Sequence, residues 1–157
     1  ERTAYSAPNF FPQRTIRDAR YKLILNLTPD RKNPVPDNYL NQRGSFFLYG
    51  TSQAELNTAP KHIATAYERW RSPPAVELYD LKSDPWEFRN LADDPKLAEV
   101  KARLLTELTS FRERHRDPLL DEGKLKKLAE EHDYVATKLK NGRYGAGQSW
   151  KYHSYLR

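Results

Sequence analysis

The feature that most constrains this chain is an amphipathic pattern that starts at Asp94-Pro95 and continues to about Arg116. Its apolar residues recur at spacings of three and four, which places them on one stripe of an α-helix. Asp before Pro is a typical helix start, because Asp can cap and Pro suits the first turn. The pattern therefore predicts a long helix whose stripe faces a core: Leu97, Val100, Leu104, Leu108 and Phe111.

Three short runs upstream are typical of β-strands. Gln13–Leu27 predicts two strands joined by a short polar break, that is, a hairpin, and Val76–Leu81 predicts a third strand. We expect Leu104 and Leu108 to be buried against Leu23, Leu25 and Leu78. The predicted fold class is α+β: a small antiparallel β-sheet of about four strands with the long C-terminal helix packed on one face.

An irregular and partly helical insertion, residues 28–71, separates the hairpin from the third strand. It ends in a predicted helix, Pro60–Arg71. A second start signal, Asp84-Pro85-Trp86-Glu87, predicts a short helix that ends near Ala92. Beyond residue 121 the pattern changes to a basic, helical and turn-rich tail with a helix from Gly123 to Lys140.

Composition excludes several classes of function. A chain of 157 residues without Cys has no disulfide, thiolate zinc site or Cys nucleophile. No apolar run is long enough for a membrane span. The net charge is +6, and residues 122–157 hold eight basic against four acidic side chains. The chain starts with Glu1 and lacks Met, so we expect either a removed start or a piece of a longer protein.

The usual signatures of a catalytic or metal site are weak. The chain has no Gly-rich phosphate loop, and its four His residues are isolated, which favours surface positions over metal ligation. Asp93-Asp94 precedes a helix and is better explained by capping than by metal binding. Asn26-Leu27-Thr28 matches the N-glycosylation pattern, but its place at a strand end before Pro29 favours chance.

Several motifs together resemble the C-terminal part of the type I sulfatases. Residues 77–92 follow the family order E-L-Y-D-L, D-P, N-L-A, and a further D-P precedes the long helix. Residues 14–24 are similar to the family's R-x-[IV]-R-x-x-x-[YF]-K-[LY]-I hairpin. Phe10-Phe11-Pro12-Gln13-Arg14 is similar to the Y-Y-P-M-R run of the sulfamidase (N-sulfoglucosamine sulfohydrolase) branch. The resemblance covers about residues 10–118.

This resemblance implies a parent enzyme that hydrolyses sulfate or N-sulfate groups of sulfated sugars such as glycosaminoglycan fragments. The family's formylglycine nucleophile and calcium ligands lie in an N-terminal catalytic domain, so this segment is expected to hold neither catalytic nor metal-binding residues. Residues 1–121 would form the C-terminal subdomain, beside the N-terminal domain and a sulfated saccharide. A periplasmic, secreted or lysosomal location is implied for the parent.

Within the family, loops of this subdomain close one side of the active-site cleft. The candidate substrate-binding residues are therefore Tyr5, Asn9 and Arg14. Arg14 and Arg17 are equally explained as strand residues that pair with Glu77 or Asp80, and we favour that interpretation.

The alternative is a free-standing basic module that binds polyanions. The aromatic residues Trp150, Tyr152 and Tyr155 alternate with Lys151 and Arg157 in the tail, a pattern compatible with polyanion contact. Acidic residues are interleaved with the basic ones along the chain, which disfavours nucleic acid as a partner.

Overall fold

The computed structural model describes residues 10–37, 52–140 and 150–157. They form two compact units, one from Phe11 to Thr109 and one from Ser110 onward that includes Phe10. The predicted boundary between residues 121 and 122 separates the sulfatase-like subdomain from the basic tail, and it stays a prediction.

The first unit is built on an antiparallel sheet with strand order β1-β2-β3. The strands are Gln13–Arg17 (β1), Tyr21–Asn26 (β2) and Val76–Asp80 (β3). The α+β class is confirmed, but the described residues form three strands rather than about four. The sequence patterns assign residue ranges to three strands, and all three are present.

The hairpin between β1 and β2 is fixed by one carboxylate. Asp18 accepts hydrogen bonds from the backbone N–H groups of Arg20 (2.8 Å) and Tyr21 (2.7 Å). The Arg103 side chain donates to its other oxygen at 2.5 Å. These donors stabilise the ionised carboxylate, so they lower the pKa of Asp18 to about 2, the Tyr21 N–H contributing most. The polar break is therefore a turn of the Asx type.

The apolar face of the sheet is covered by the long helix, Ala98–Arg114 (α3 in the numbering below). Leu104 and Leu108 of α3 are buried in one cluster with Leu23 and Leu78, and Leu25 packs against it, as predicted. The expectation for Phe111 is wrong: it is 51% exposed and its ring contacts His115. Phe111 lies beyond Thr109, outside the unit that contains the sheet.

Within residues 52–75, two helices precede β3: α1, Gln53–Thr58, and α2, Lys61–Arg71. A 3₁₀ turn at Pro95–Leu97, capped by Asp94, leads into α3, so the capping prediction for Asp94 is confirmed. The second unit contains a 3₁₀ turn at Pro118–Leu120, α4 at Glu122–Lys140 and α5 at Tyr152–Tyr155. The predicted helix of the tail is therefore present.

The predicted short helix between Asp84 and Ala92 is wrong, because this segment consists of turns and irregular backbone. Asp84 does accept from the N–H groups of Phe88 (3.1 Å) and Arg89 (2.7 Å), which is cap-like chemistry. Glu87 adopts a positive φ of 59°, which an α-helix does not allow. Its carboxylate binds Lys22 Nζ at 2.7 and 2.8 Å instead of returning to the cap.

None of the helices in the described ranges combines the length and the apolarity that a membrane crossing requires.

Candidate functional site

The face of the sheet opposite α3 is polar. Strand alternation and register place Gln13 beside Asn26, and Lys22 beside Tyr79, on this face. Glu77 joins them next to Ile24. Arg69 of α2 extends towards the same face, with its Nε 3.8 Å from a Glu77 carboxylate oxygen. This side of the first unit therefore concentrates polar and charged groups.

Glu77 is the centre of a buried network. Its side chain is 8% exposed, and it accepts hydrogen bonds from Asn26 Nδ2 at 2.9 Å and from the Tyr79 hydroxyl. Burial raises the pKa of Tyr79 well above its usual value, and the hydrogen bond to Glu77 adds to that rise. A buried carboxylate needs such partners to offset its desolvation. The same network leaves Asn26 only 2% exposed, consistent with a chance match to the glycosylation pattern.

The other polar residues of the E-L-Y-D-L to N-L-A segment also have structural partners. Asp80 binds Arg20 through two hydrogen bonds of 3.1 and 2.7 Å, which lowers the pKa of Asp80. Asn90 Oδ1 accepts from the N–H groups of Leu78 (2.9 Å) and Ala92 (3.0 Å). Asn90 thus satisfies a donor on β3 that no neighbouring strand takes up in the described sheet. These side chains hold the sheet and its flanking turn together.

The predicted pairing of Arg14 or Arg17 with these acids is wrong. The arginine that pairs with Asp80 is Arg20, from the hairpin turn, and the arginine that faces Glu77 is Arg69, from α2. Sequence reasoning selected arginines on β1 as the partners of Glu77 and Asp80. In the structure these partners come from the hairpin turn and from α2.

A cleft of about 410 Å³ lies over the polar face. Its floor contains Glu77 and Tyr79, and its walls come from α2 and the turn at residues 86–88. Arg69 Nη2 donates to the carbonyl oxygens of Glu87 (3.1 Å) and Phe88 (2.7 Å), so it ties α2 to that turn. Three large side chains of the lining are exposed, which gives the rim an aromatic character: Trp70 at 40%, Trp86 at 79% and Phe88 at 37%.

This cleft combines a polar floor with an aromatic rim. The polar groups of its floor hydrogen-bond to one another, and the Trp86 side chain of the rim is 79% exposed. Within the described ranges, no three His, Asp or Glu side chains converge in a way that could hold a metal ion. The arrangement is that of a rigid, partly apolar concave surface.

Of the three predicted substrate-binding residues, Arg14 lies within the described part of the chain. Tyr5 and Asn9 lie outside the described residues. Arg14 is half-buried on β1, shares the face of Leu25 and Val76, and donates from Nη1 to the Gln13 carbonyl oxygen at 2.9 Å. It does not line the cleft, whereas its neighbour Gln13 does. A substrate contact for these three residues stays a prediction.

Three of the four His residues are exposed, as expected: His62, His115 and His153. His132 differs, because it is half-buried and its ring stacks on Phe10 at 4.1 Å and contacts Trp150 at 4.8 Å. Trp150 also contacts Tyr152, while the Tyr155 hydroxyl donates to Glu131. The tail aromatics are thus used in packing within the second unit.

Sequence reasoning missed the aromatic rim. The sequence pattern places Trp86 in the first turn of the predicted helix that starts at Asp84. An exposed side chain at such a position does not by itself indicate a contact surface. The available signal was two bulky apolar residues, Trp86 and Phe88, that alternate with charges directly after Asp84-Pro85. Such a turn exposes large apolar groups, which is typical of a contact surface.

Comparison with known proteins gives relatives of one kind. No family model matches the chain. An ulvan-active sulfatase of Formosa agariphila is 33% identical over 101 residues, which is 64% of this chain and 17% of that protein. A second ulvan-active sulfatase of that bacterium is 31% identical over 104 residues. The human N-sulphoglucosamine sulphohydrolase is 28% identical over 109 residues, which is 69% of this chain and 21% of that enzyme.

The chain thus spans only 17% to 21% of the length of these curated relatives. The matches confirm the resemblance inferred from the E-L-Y-D-L to N-L-A segment and from the hairpin. The motif residues from which the resemblance was inferred build the sheet and its flanking turn. The chain is accordingly similar to a segment of these sulfatases, which is consistent with the predicted resemblance to a C-terminal sulfatase subdomain.

Proposed function

We propose that this chain is the non-catalytic C-terminal part of a sulfatase and that it completes the active-site cleft of the parent enzyme. The observation that supports this proposal is the match to sulfatases over only 17% to 21% of their length. The polar motif residues of the chain serve its own scaffold, which agrees with a supporting rather than a reacting segment. The parent would remove sulfate or N-sulfate groups from sulfated sugars.

The partner in this proposal is the N-terminal catalytic domain of the same protein. Trp86 of the aromatic rim is suited to contact it, because aromatic side chains are enriched in the buried centres of protein interfaces. Trp86, at 79% exposed, is the most accessible large apolar side chain of the rim. The aromatic residues of the irregular segments are a further expected contact for that domain: Phe10, Phe11, Phe46, Phe47 and Tyr49. Phe10 and Phe11 are half-buried, and the other three lie outside the described residues.

The family implies calcium and a formylglycine for the parent. The residues of this chain do not fit either group: the chain has no Cys, and no His/Asp/Glu cluster exists within the described ranges. The nearest Ser version of the formylglycine motif, Ser83 to Glu87, has Glu where the family requires Arg, and its Glu87 is held by Lys22. Both groups would therefore belong to the catalytic domain.

Release of inorganic sulfate tests the proposal. The isolated chain should release none from an aryl sulfate or a sulfated oligosaccharide above a buffer blank, whereas the complete gene product should release it. Turnover by the purified chain would contradict a non-catalytic role. An inactive complete gene product of sulfatase length would contradict the assignment of the parent reaction.

A further inference from the structure

A second cleft lies beside the start of α2, in the same unit as the sheet. Its volume is about 640 Å³. We call it the basic cleft. Its lining includes Lys61, His62, Arg69, Phe88, Arg89 and Asn90.

The charge of the basic cleft is positive. Lys61, Arg69 and Arg89 line it, and no acidic side chain does. Arg69 is fixed by its hydrogen bonds to the Glu87 and Phe88 carbonyl oxygens, and Glu77 offsets part of its charge from 3.8 Å away. Lys61 and Arg89 are exposed and form no ion pair with any side chain of the described ranges. Two cations are therefore available to an anionic ligand.

The backbone adds to this positive field. Helix α2 has 11 residues, and its N-terminal cap, Pro60, has no side-chain hydrogen bond to the first turn. Helix N-termini attract anions through their unpaired N–H groups and the helix dipole. Lys61 and His62 stand in that first turn, so the side chains and the helix end act on the same region.

The basic cleft also offers an aromatic surface. The Phe88 ring is 37% exposed, and His62 contacts it edge-on with ring centroids 5.5 Å apart. An exposed ring in a cleft that is also lined by cations provides an apolar contact for a ligand that carries both charge and carbon-bound hydrogens. A sulfated sugar has this combination, because its ring presents a C–H face and its sulfate presents oxygen acceptors.

We propose that the basic cleft binds a sulfate group of a sulfated saccharide, with Lys61 and Arg89 contacting the sulfate and Phe88 contacting the sugar ring. Arginine and lysine bind tetrahedral oxyanions through charge-assisted hydrogen bonds. This assignment rests on the proposed function, since the names of two relatives, ulvan-active sulfatase and N-sulphoglucosamine sulphohydrolase, point to saccharides. A single compact cleft also fits a short saccharide better than a nucleic-acid strand, which needs an extended stripe of contacts.

The test is titration of the full 157-residue chain by isothermal calorimetry with a heparin-derived tetrasaccharide. The double variant Lys61→Ala/Arg89→Ala should bind about tenfold more weakly, as expected for the loss of two solvent-accessible ionic contacts. Lys126→Ala/Lys127→Ala is the matched control, because it removes the same charge from two exposed residues of α4. The control should change the affinity less than about twofold, and circular dichroism should show both variants folded.

Two further ligands separate the alternatives. The desulfated tetrasaccharide should bind at least about tenfold more weakly than the sulfated one. A single-stranded DNA oligonucleotide should show no greater sensitivity to Lys61→Ala/Arg89→Ala than to the control. Equal loss in both double variants, equal binding of the desulfated sugar, or DNA binding that depends on Lys61 and Arg89 would each overturn the proposal.

Failure of the basic cleft and failure of the proposed function are distinguishable. If the complete gene product releases sulfate but Lys61→Ala/Arg89→Ala binds the tetrasaccharide with unchanged affinity, only the assignment of the basic cleft is contradicted. If the tetrasaccharide binds as proposed but the complete gene product has no sulfatase activity, the proposed function is contradicted and the binding site in the basic cleft is supported.

Discussion

Replacement of Glu77 by Gln tests whether the shared sulfatase motif is a structural network. Glu77 is 8% exposed in its side chain and accepts from Asn26 and Tyr79, with Arg69 at 3.8 Å. Removal of one charge from a buried pair costs about 3–5 kcal/mol, and an amide retains one acceptor oxygen. We therefore expect Glu77→Gln to lower the free energy of unfolding by about 3 kcal/mol.

Glu68→Gln is the matched control. Glu68 lies 2.6 Å from Arg71, a shorter ion pair, but its side chain is 68% exposed. Exposed pairs contribute about 0–1 kcal/mol, so this variant should be nearly neutral. Urea denaturation followed by circular dichroism measures both values. Equal losses for Glu77→Gln and Glu68→Gln would refute the reasoning, because burial would then not determine the effect.

Three other predictions concern the same unit. Leu104→Ala should cost about 2–5 kcal/mol because Leu104 is fully buried, whereas Phe111→Ala, at a 51% exposed position of the same helix, should cost less than about 1 kcal/mol in urea denaturation. The pKa of Asp18 is lowered from 3.8 to about 2, so the ionised carboxylate should stabilise the fold above pH 3.8, and this stabilisation should be lost as the pH falls towards 2. In acid titrations of stability, Asp18→Asn should remove this pH dependence. The pKa of Tyr79 is raised, so its contribution should be lost as the pH rises above about 10, and Tyr79→Phe should flatten the alkaline limb of the stability profile.

The parts of the fold that follow from local patterns could be predicted. The stripe of Leu104 and Leu108, the alternation around Leu23 and Leu78, and the cap at Asp94 each depend on residues close in sequence. The segment from Asp84 to Ala92 could not, because a distant residue decides its conformation. Lys22 takes the Glu87 carboxylate that the helix start would have used, and Asn90 turns back to β3.

The candidate sites were less accessible to sequence reasoning for the same reason. Lys61 and Arg89 are 28 positions apart in the numbering and meet only because α2 packs beside the turn after β3. The motifs around Glu77, Asp80 and Asn90 indicated the resemblance to sulfatases. They did not show that Arg69 lies beside Glu77, that Arg20 pairs with Asp80, or that Asn90 accepts a hydrogen bond from β3. Long-range pairing, not residue type, determines which charges remain available.

The most direct test of the central claim is the nucleotide sequence that precedes the codon of Glu1. We expect an open reading frame of several hundred codons, in frame with this chain, that contains the formylglycine motif C/S-x-P-x-R. A start codon or a signal-peptide sequence directly before Glu1 would contradict the assignment to a sulfatase and would favour the free-standing polyanion-binding module.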